Sequence, residues 1–427
     1  MWLAVGLLLA GLLARDGLFL ALSIPLLIYL SAGLWFSPET LHLEVAGSLD
    51  LEQANPGQPV TLHLKVTNPG GSAEEAVIRQ PLPHGLQLVE GQAELAAALP
   101  PGAAVEMQMV IHGKRGLYRF PEVEVTLRET SDLFRLQQKF STGMKLLVLP
   151  EVIRLTRLSI RPRQTRPYPG PVLSRKGGSG TDFFGVREYQ MGDSRKWLNW
   201  RATARSAENM FTNEFEREQI SDVGLILDAR MTVDLVNGND ALFEYSVRAA
   251  ASLADAFLRD GNRVGLLVYG YGLEQTFYGY GKVQRARILT ALAQARSGLN
   301  YSLENLRYIP PRLFPAHSQL VVITPLVQSD VNNLIRFRAL GYEVLVVSPD
   351  PVEFQALALA GQPNLELALR IARAERWHLI RRLRRAGVRI LNWPVHQPFD
   401  RVALTLERGG GGQWTRSHLE DPRRAAR

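Results

Sequence analysis

Beyond Asp222 the chain alternates short apolar runs with longer segments of helical apolar spacing, and that rhythm restricts the fold more than any other feature. Residues 223–227, 263–269, 320–323, 343–347 and 388–391 read as strands, and 240–260, 283–295, 330–340 and 366–386 as helices; a Gly- and Tyr-rich hairpin runs to Gly281. Glycine directly follows three of the helices, at Gly261, Gly341 and Gly387, where a helix customarily stops. Short uncharged strands joined by helices call for a mostly parallel sheet with helices on both faces. Such sheets take their ligands beyond the carboxyl ends of the strands.

The N-terminus departs most from this pattern. Residues 18–36 contain no charged side chain and as a helix would reach roughly 28 Å, near the hydrocarbon thickness of a bilayer. Residues 2–14 are equally free of charge but would reach only about 20 Å. Arg15, Asp16 and Gly17 form a polar turn between them, so residues 1–38 are expected to make a transmembrane helical hairpin. A cleaved signal peptide is the rival reading, but the positive n-region is missing.

Residues 39–152 consist of alternating runs, such as 60–67 and 105–111, broken by turn residues. An antiparallel, immunoglobulin-like β-sandwich is expected there, with 146–150 as its last strand. Residues 153–221 read as an Arg-, Gly- and Pro-rich connector without helical or strand period. Four aromatic residues, Phe183, Tyr189, Trp197 and Trp200, are expected to dock it onto a neighbour. Residues 222–406 form the α/β region, and 407–427 read as a disordered basic tail.

Composition narrows the chemistry. No cysteine is present, which removes disulfides, thiolate metal sites and thiol nucleophiles. The net charge is +8, and residues 154–205 alone hold twelve Lys and Arg against three Asp and Glu. A second basic run covers 376–389. Such runs are usually solvated faces, although a basic face also attracts anionic lipid or nucleic acid. No phosphate loop, nucleophile elbow or paired histidine of metal-site spacing occurs. No enzymatic activity and no cofactor are therefore expected.

The loop at 222–232 resembles a von Willebrand A metal loop. Such a site needs an Asp and two hydroxyls after the first strand, a Thr from a second loop and an Asp after a later strand. Asp228 stands at the first position and Thr232 at the second hydroxyl, but Arg230 replaces the first hydroxyl. The later strand runs into Thr324 and Pro325 where an Asp would be expected. A guanidinium repels a cation and pairs with a carboxylate. Asp228, Arg230, Thr232 and Thr324 therefore read as a degenerate metal loop in which Arg230 serves as the counter-ion of Asp228.

Residues 177–205 carry a second constellation. Arg187, Arg195, Arg201 and Arg205 are available to meet Glu188, Asp193 and Asp182, with Trp197 and Trp200 buried between them. The order Arg187-Glu188-Tyr189, Gly192-Asp193, Arg195, Trp200 and Thr203-Ala204-Arg205 resembles the signature of the membrane-anchored, MoxR-associated von Willebrand A-like family, domain of unknown function 58. Arg115 to Tyr118 and Ser131 to Phe134 stand in that family's order as well. The resemblance implies an α/β von Willebrand A-like (Rossmann-type) domain and a MoxR-type AAA+ ATPase as partner.

The resulting expectation is a protein-interaction scaffold, tethered to the inner membrane by its N-terminal helices, with cytoplasmic domains and no bound nucleic acid. Two alternatives stand beside it: anionic-lipid or nucleic-acid binding through the basic connector, and a divalent-metal-dependent adhesion domain.

Overall fold

A computed structural model describes residues 2–15, 17–35, 43–70, 73–128, 135–155, 172–206, 209–219, 221–270, 272–298, 313–316, 318–359 and 361–408. The motif at 131–134, part of the basic connector and the tail from 409 onward lie outside the described residues. The chain divides into two compact units, residues 1–149 and 150–427.

The first unit opens with helices α1 (Trp2–Ala14) and α2 (Gly17–Trp35). Eleven strands follow: β1 (Glu44–Leu49), β2 (Gln53–Ala54), β3 (Val60–Thr67), β4 (Ala73–Arg79), β5 (Leu86–Gly91), β6 (Glu94–Leu99), β7 (Ala104–Gly113), β8 (Gly116–Arg119), β9 (Val123–Arg128), β10 (Arg135–Phe140) and β11 (Lys145–Val148). They build antiparallel sheets in the orders β1-β3-β7-β5 and β10-β9-β4-β6, with a smaller sheet β2-β11-β8. Period-two alternation along β3 turns Leu62, Leu64 and Val66 inward, where they share one core with Met109, Ile78 and Val125.

The expected fold class is corrected here. Among the described residues no helix is long and apolar enough to cross a membrane, and the chain is mixed α/β with several sheets rather than a transmembrane hairpin followed by an immunoglobulin-like sandwich and a von Willebrand A-like domain. α1 has only 13 residues, and α2 carries Pro25 within it, where the ring removes one backbone hydrogen bond. Ser23 and Ser31 sit within α2 and turn their hydroxyls back onto the carbonyls of Leu20 and Ile28. The inner-membrane location and the membrane contact expected of these helices are withdrawn with the span.

The second unit begins with a long hairpin of β12 (Val172–Glu188) and β13 (Phe211–Gln219), with the short helix α3 (Trp200–Thr203) between them. No regular element was expected here. Register shifts between Ser174 and Gly177, Gly178 and Phe183, and Phe183 and Gly185 interrupt the pairing, and with it the period of two that marks a strand in sequence.

The remainder comprises β14 (Asp222–Asp228), β15 (Val236–Asn237), β16 (Asp240–Ala241), α4 (Leu242–Arg259), β17 (Arg263–Tyr269), β18 (Leu273–Gly279), α5 (Gly281–Gln294), β19 (Gln319–Ile323), α6 (Asp330–Ala339), β20 (Glu343–Pro349), α7 (Pro351–Ala358), α8 (Leu365–Arg385), β21 (Arg389–Trp393) and α9 (Phe399–Arg408). Six strands form one sheet in the order β18-β17-β14-β19-β20-β21. All neighbours are parallel except β18, which is antiparallel to β17. Every residue of β14 and β19 is buried, as strands covered on both faces require. From β14 the chain moves to β17 on one side, then returns to β19 on the other. The carboxyl ends of β14 and β19 therefore flank the switch point of the sheet.

Candidate functional site at the carboxyl edge of the sheet

β14 delivers Asp228 to the switch point. Beyond it the Ala229 amide donates to the Tyr269 carbonyl (2.6 Å), and Met231 and Ala229 exchange backbone hydrogen bonds with Gly298 (both 2.9 Å). This pins the backbone on both sides of Arg230, whose side chain folds back over Asp228. Its Nε and Nη2 donate to the two oxygens of Asp228 at 2.8 and 2.6 Å, a bidentate fork. Nη2 also donates to both oxygens of Asp330 at 3.1 and 2.9 Å. The Tyr269 ring lies 5.9 Å from the guanidinium carbon.

From the other side, β19 delivers Thr324, whose hydroxyl donates to Asp228 Oδ2 (2.7 Å) and accepts from the Leu326 amide (3.2 Å). Leu326 adopts a left-handed conformation (φ 67°), turning the chain so that α6 opens with Asp330. The first turn of a helix favours a carboxylate, and the Val327 amide donates to Asp330 (3.3 Å). Arg230 is 3% exposed and Asp330 0%. Burial works against the charge of Arg230, but hydrogen bonds and charge from Asp228 and then Asp330 outweigh it and raise its pKa. Burial raises the pKa of Asp330; Arg230 opposes the rise and Asp228 adds to it. Two carboxylates facing one guanidinium leave a surplus negative charge, and protonation of Asp330 relieves it.

The residues expected to form a degenerate metal loop thus separate. Asp228, Arg230 and Thr324 come together, whereas Thr232 is exposed. Asp330 completes the cluster and was missed: the acidic partner was sought directly after β19, not six residues later at the start of a helix. The donor set would suit a hard cation, but Nη2 lies within hydrogen-bond distance of both carboxylates and fills the space such an ion needs. Among the described residues no group of three or more His, Asp or Glu gathers into a metal site.

A second buried arginine abuts the same edge. Arg376 of α8 donates to the Pro325 carbonyl (2.8 Å), the Ser348 hydroxyl (2.9 Å) and Asn392 Oδ1 (2.6 Å), and its Nε lies 3.2 Å from Asp350. Asn392 donates to Asp350 (2.8 Å), which also caps α7 through the Val352 amide (3.0 Å). Burial lowers the pKa of Arg376, and Asp350 opposes that shift. Arg376 thereby ties α8 to the loop that carries Thr324. Sequence gave only one signal for it, a lone arginine on the apolar side of α8.

At 187–205 one of the expected ion pairs forms, between Arg187 and Asp193. Arg187 forks onto Asp193 at 2.8 and 2.7 Å, with Glu214 at 3.7 Å. The Gln190 amide donates to Asp193 (2.9 Å) and the Tyr189 hydroxyl to its carbonyl (3.3 Å). These bonds close a turn through Gly192, whose φ of 112° suits glycine alone. The hydrogen bond with Asp193 raises the pKa of Arg187, and the same bond lowers that of Asp193. Glu188 accepts from Asn209 (3.0 Å) rather than from an arginine. Trp197 is half-buried, its carbonyl accepting from Thr212 (3.1 Å). Trp200 is 67% exposed, so it does not bury among ion pairs. Arg195, Arg201 and Arg205 are exposed as well.

Residues 185–368 match the family described as "Protein of unknown function DUF58". The match spans the turn at Arg187, the β14 loop and Asp330. No curated protein matches the chain. Among solved structures, the chain is similar to the cupredoxin domain of amoB from Nitrosocaldus yellowstonii, at 6% identity over 25% of this chain and 86% of that one with a TM-score of 0.19. It is also similar to a FixG-related protein from Vibrio parahaemolyticus, at 13% identity over 25% and 95% with a TM-score of 0.17. Likenesses this low carry no argument.

Proposed function

We propose that this chain is a non-enzymatic protein-interaction scaffold, that its partner is a MoxR-type AAA+ ATPase, and that recognition at the carboxyl edge proceeds without a bridging metal ion. One observation carries the reading. At the switch point, where an α/β sheet takes its ligand, Arg230 lies buried between Asp228 and Asp330. A guanidinium seated between the two carboxylates occupies the position a cation would take.

Exposed apolar side chains support docking by a protein. Met231 and Val236 lie exposed in the segment that follows Arg230, Met191 stands out from the turn that Arg187 and Asp193 hold, and Trp200 from α3. Methionine and tryptophan are favoured at protein interfaces, where they fill pockets at low specificity cost or as anchors. A native pull-down with the full chain is expected to recover a MoxR-type ATPase, and Trp200→Glu to lose it. Recovery of no AAA+ ATPase would count against the reading.

The exposed cations Arg195, Lys196, Arg201 and Arg205 favour a second reading, binding of anionic lipid or nucleic acid. Affinity that falls steeply with salt, in proportion to the phosphates neutralised, would support it.

A further inference from the structure

Helix α8 holds Arg376, Ile380 and Leu383 against the sheet. The line opposite them runs Leu367, Ile371, Ala374, His378, Arg381, Arg385, stepping alternately by four and three residues, and every member is exposed. Any helix has such an outward line; its filling here is unusual. A solvent-facing stripe should be polar throughout, yet Leu367 is 59% and Ile371 54% exposed. The stripe divides into an apolar first half and a basic second half. Arg381 covers the Trp377 ring at 4.8 Å, extending the basic half with an aromatic flank.

We propose that the outer face of α8 is a docking seam for an amphipathic helix of a partner protein, apolar over one half and acidic over the other. The four-three spacing is that of a helix-on-helix seam, and charge complementarity sets the partner's chemistry. A second copy does not fit: an antiparallel pair sets the arginines against Leu367 and Ile371, and a parallel pair sets arginine against arginine. The chain's own last segment, 416–427, carries more Arg than Asp and Glu, so it repels the basic half. A nucleic acid presents its phosphates along the whole seam and leaves the apolar half unmatched. This seam does not depend on the carboxyl-edge docking proposed above.

The test uses the full chain and a labelled synthetic helical peptide with leucine along one half of its seam and glutamate along the other, followed by fluorescence anisotropy. Binding is expected to be about tenfold tighter than for the same peptide composition scrambled, or about 1.4 kcal/mol. Leu367→Glu with Ile371→Glu should abolish the difference. Arg381→Glu with Arg385→Glu should do likewise, and a peptide with lysine in place of glutamate should restore binding to that variant, which a misfolded variant could not do. Equal binding of the scrambled peptide, no rescue by the lysine peptide, or preferential binding to phosphatidylglycerol vesicles or a single-stranded oligonucleotide would each overturn the proposal.

Discussion

Arg230 contributes one positive charge to a buried cluster that holds two carboxylates, so its neighbours should respond unequally to loss of charge. Asp228→Asn removes the bidentate partner and is expected to cost about 3–5 kcal/mol, the usual penalty for breaking a buried pair. Asp330→Asn leaves the Asp228 fork intact and removes the surplus charge, so its cost should stay below about 1 kcal/mol. Urea titration of the two variants checks the ordering. The pH dependence follows from the same surplus. Because burial raises the pKa of Asp330 above its ordinary 3.8, the folded chain binds more protons than the unfolded chain between 3.8 and the native value. The contribution of this carboxyl to stability is full below 3.8 and is lost as pH rises through the native value. Asp330→Asn should flatten that part of the stability profile. Asp228 and Arg230 were legible in sequence because they lie two residues apart on one loop. Asp330 was not, since the left-handed turn at Leu326 that returns it to the cluster leaves no mark in apolar spacing.

At the level of elements, Arg376 joins α8 to the loop after β19 through the Pro325 carbonyl and to β20 and β21 through Ser348 and Asn392. Arg376→Ala leaves Asp350 buried without its cation, and a loss of about 3–5 kcal/mol is expected by chemical denaturation. The end of α8 offers a smaller test. Gly387 has a φ of 79°, and a side chain there strains the left-handed turn by about 1–2 kcal/mol. A Cβ would also stand 3.3 Å from Arg338 Nε, so Gly387→Ala should lower the melting temperature. Strands β3 and β17 occupy the runs at 60–67 and 263–269 from which they were read, because buried strands keep their apolar pattern uninterrupted. The hairpin of β12 and β13 was missed because its bulges erase the alternation. The N-terminal helices erred in the opposite direction, since the absence of charge was given more weight than Pro25 inside α2.

For the whole molecule, the division between Leu149 and Pro150 gives each unit its own core. The first unit packs Leu62, Ile78 and Val125 together, and the second packs Ile226, Val322 and Val346. A fragment spanning 150–427 is therefore expected to unfold in one cooperative transition; a broad, non-cooperative melt would show that its core needs the first unit. Titration calorimetry of the full chain with Mg2+ and Mn2+ tests the central claim most directly. With the guanidinium in place the wild type should give no binding heat, while Arg230→Ser, which frees Asp228, Asp330 and Thr324 to face an ion, should give saturable binding. Saturable binding by the wild type in the micromolar range would contradict it.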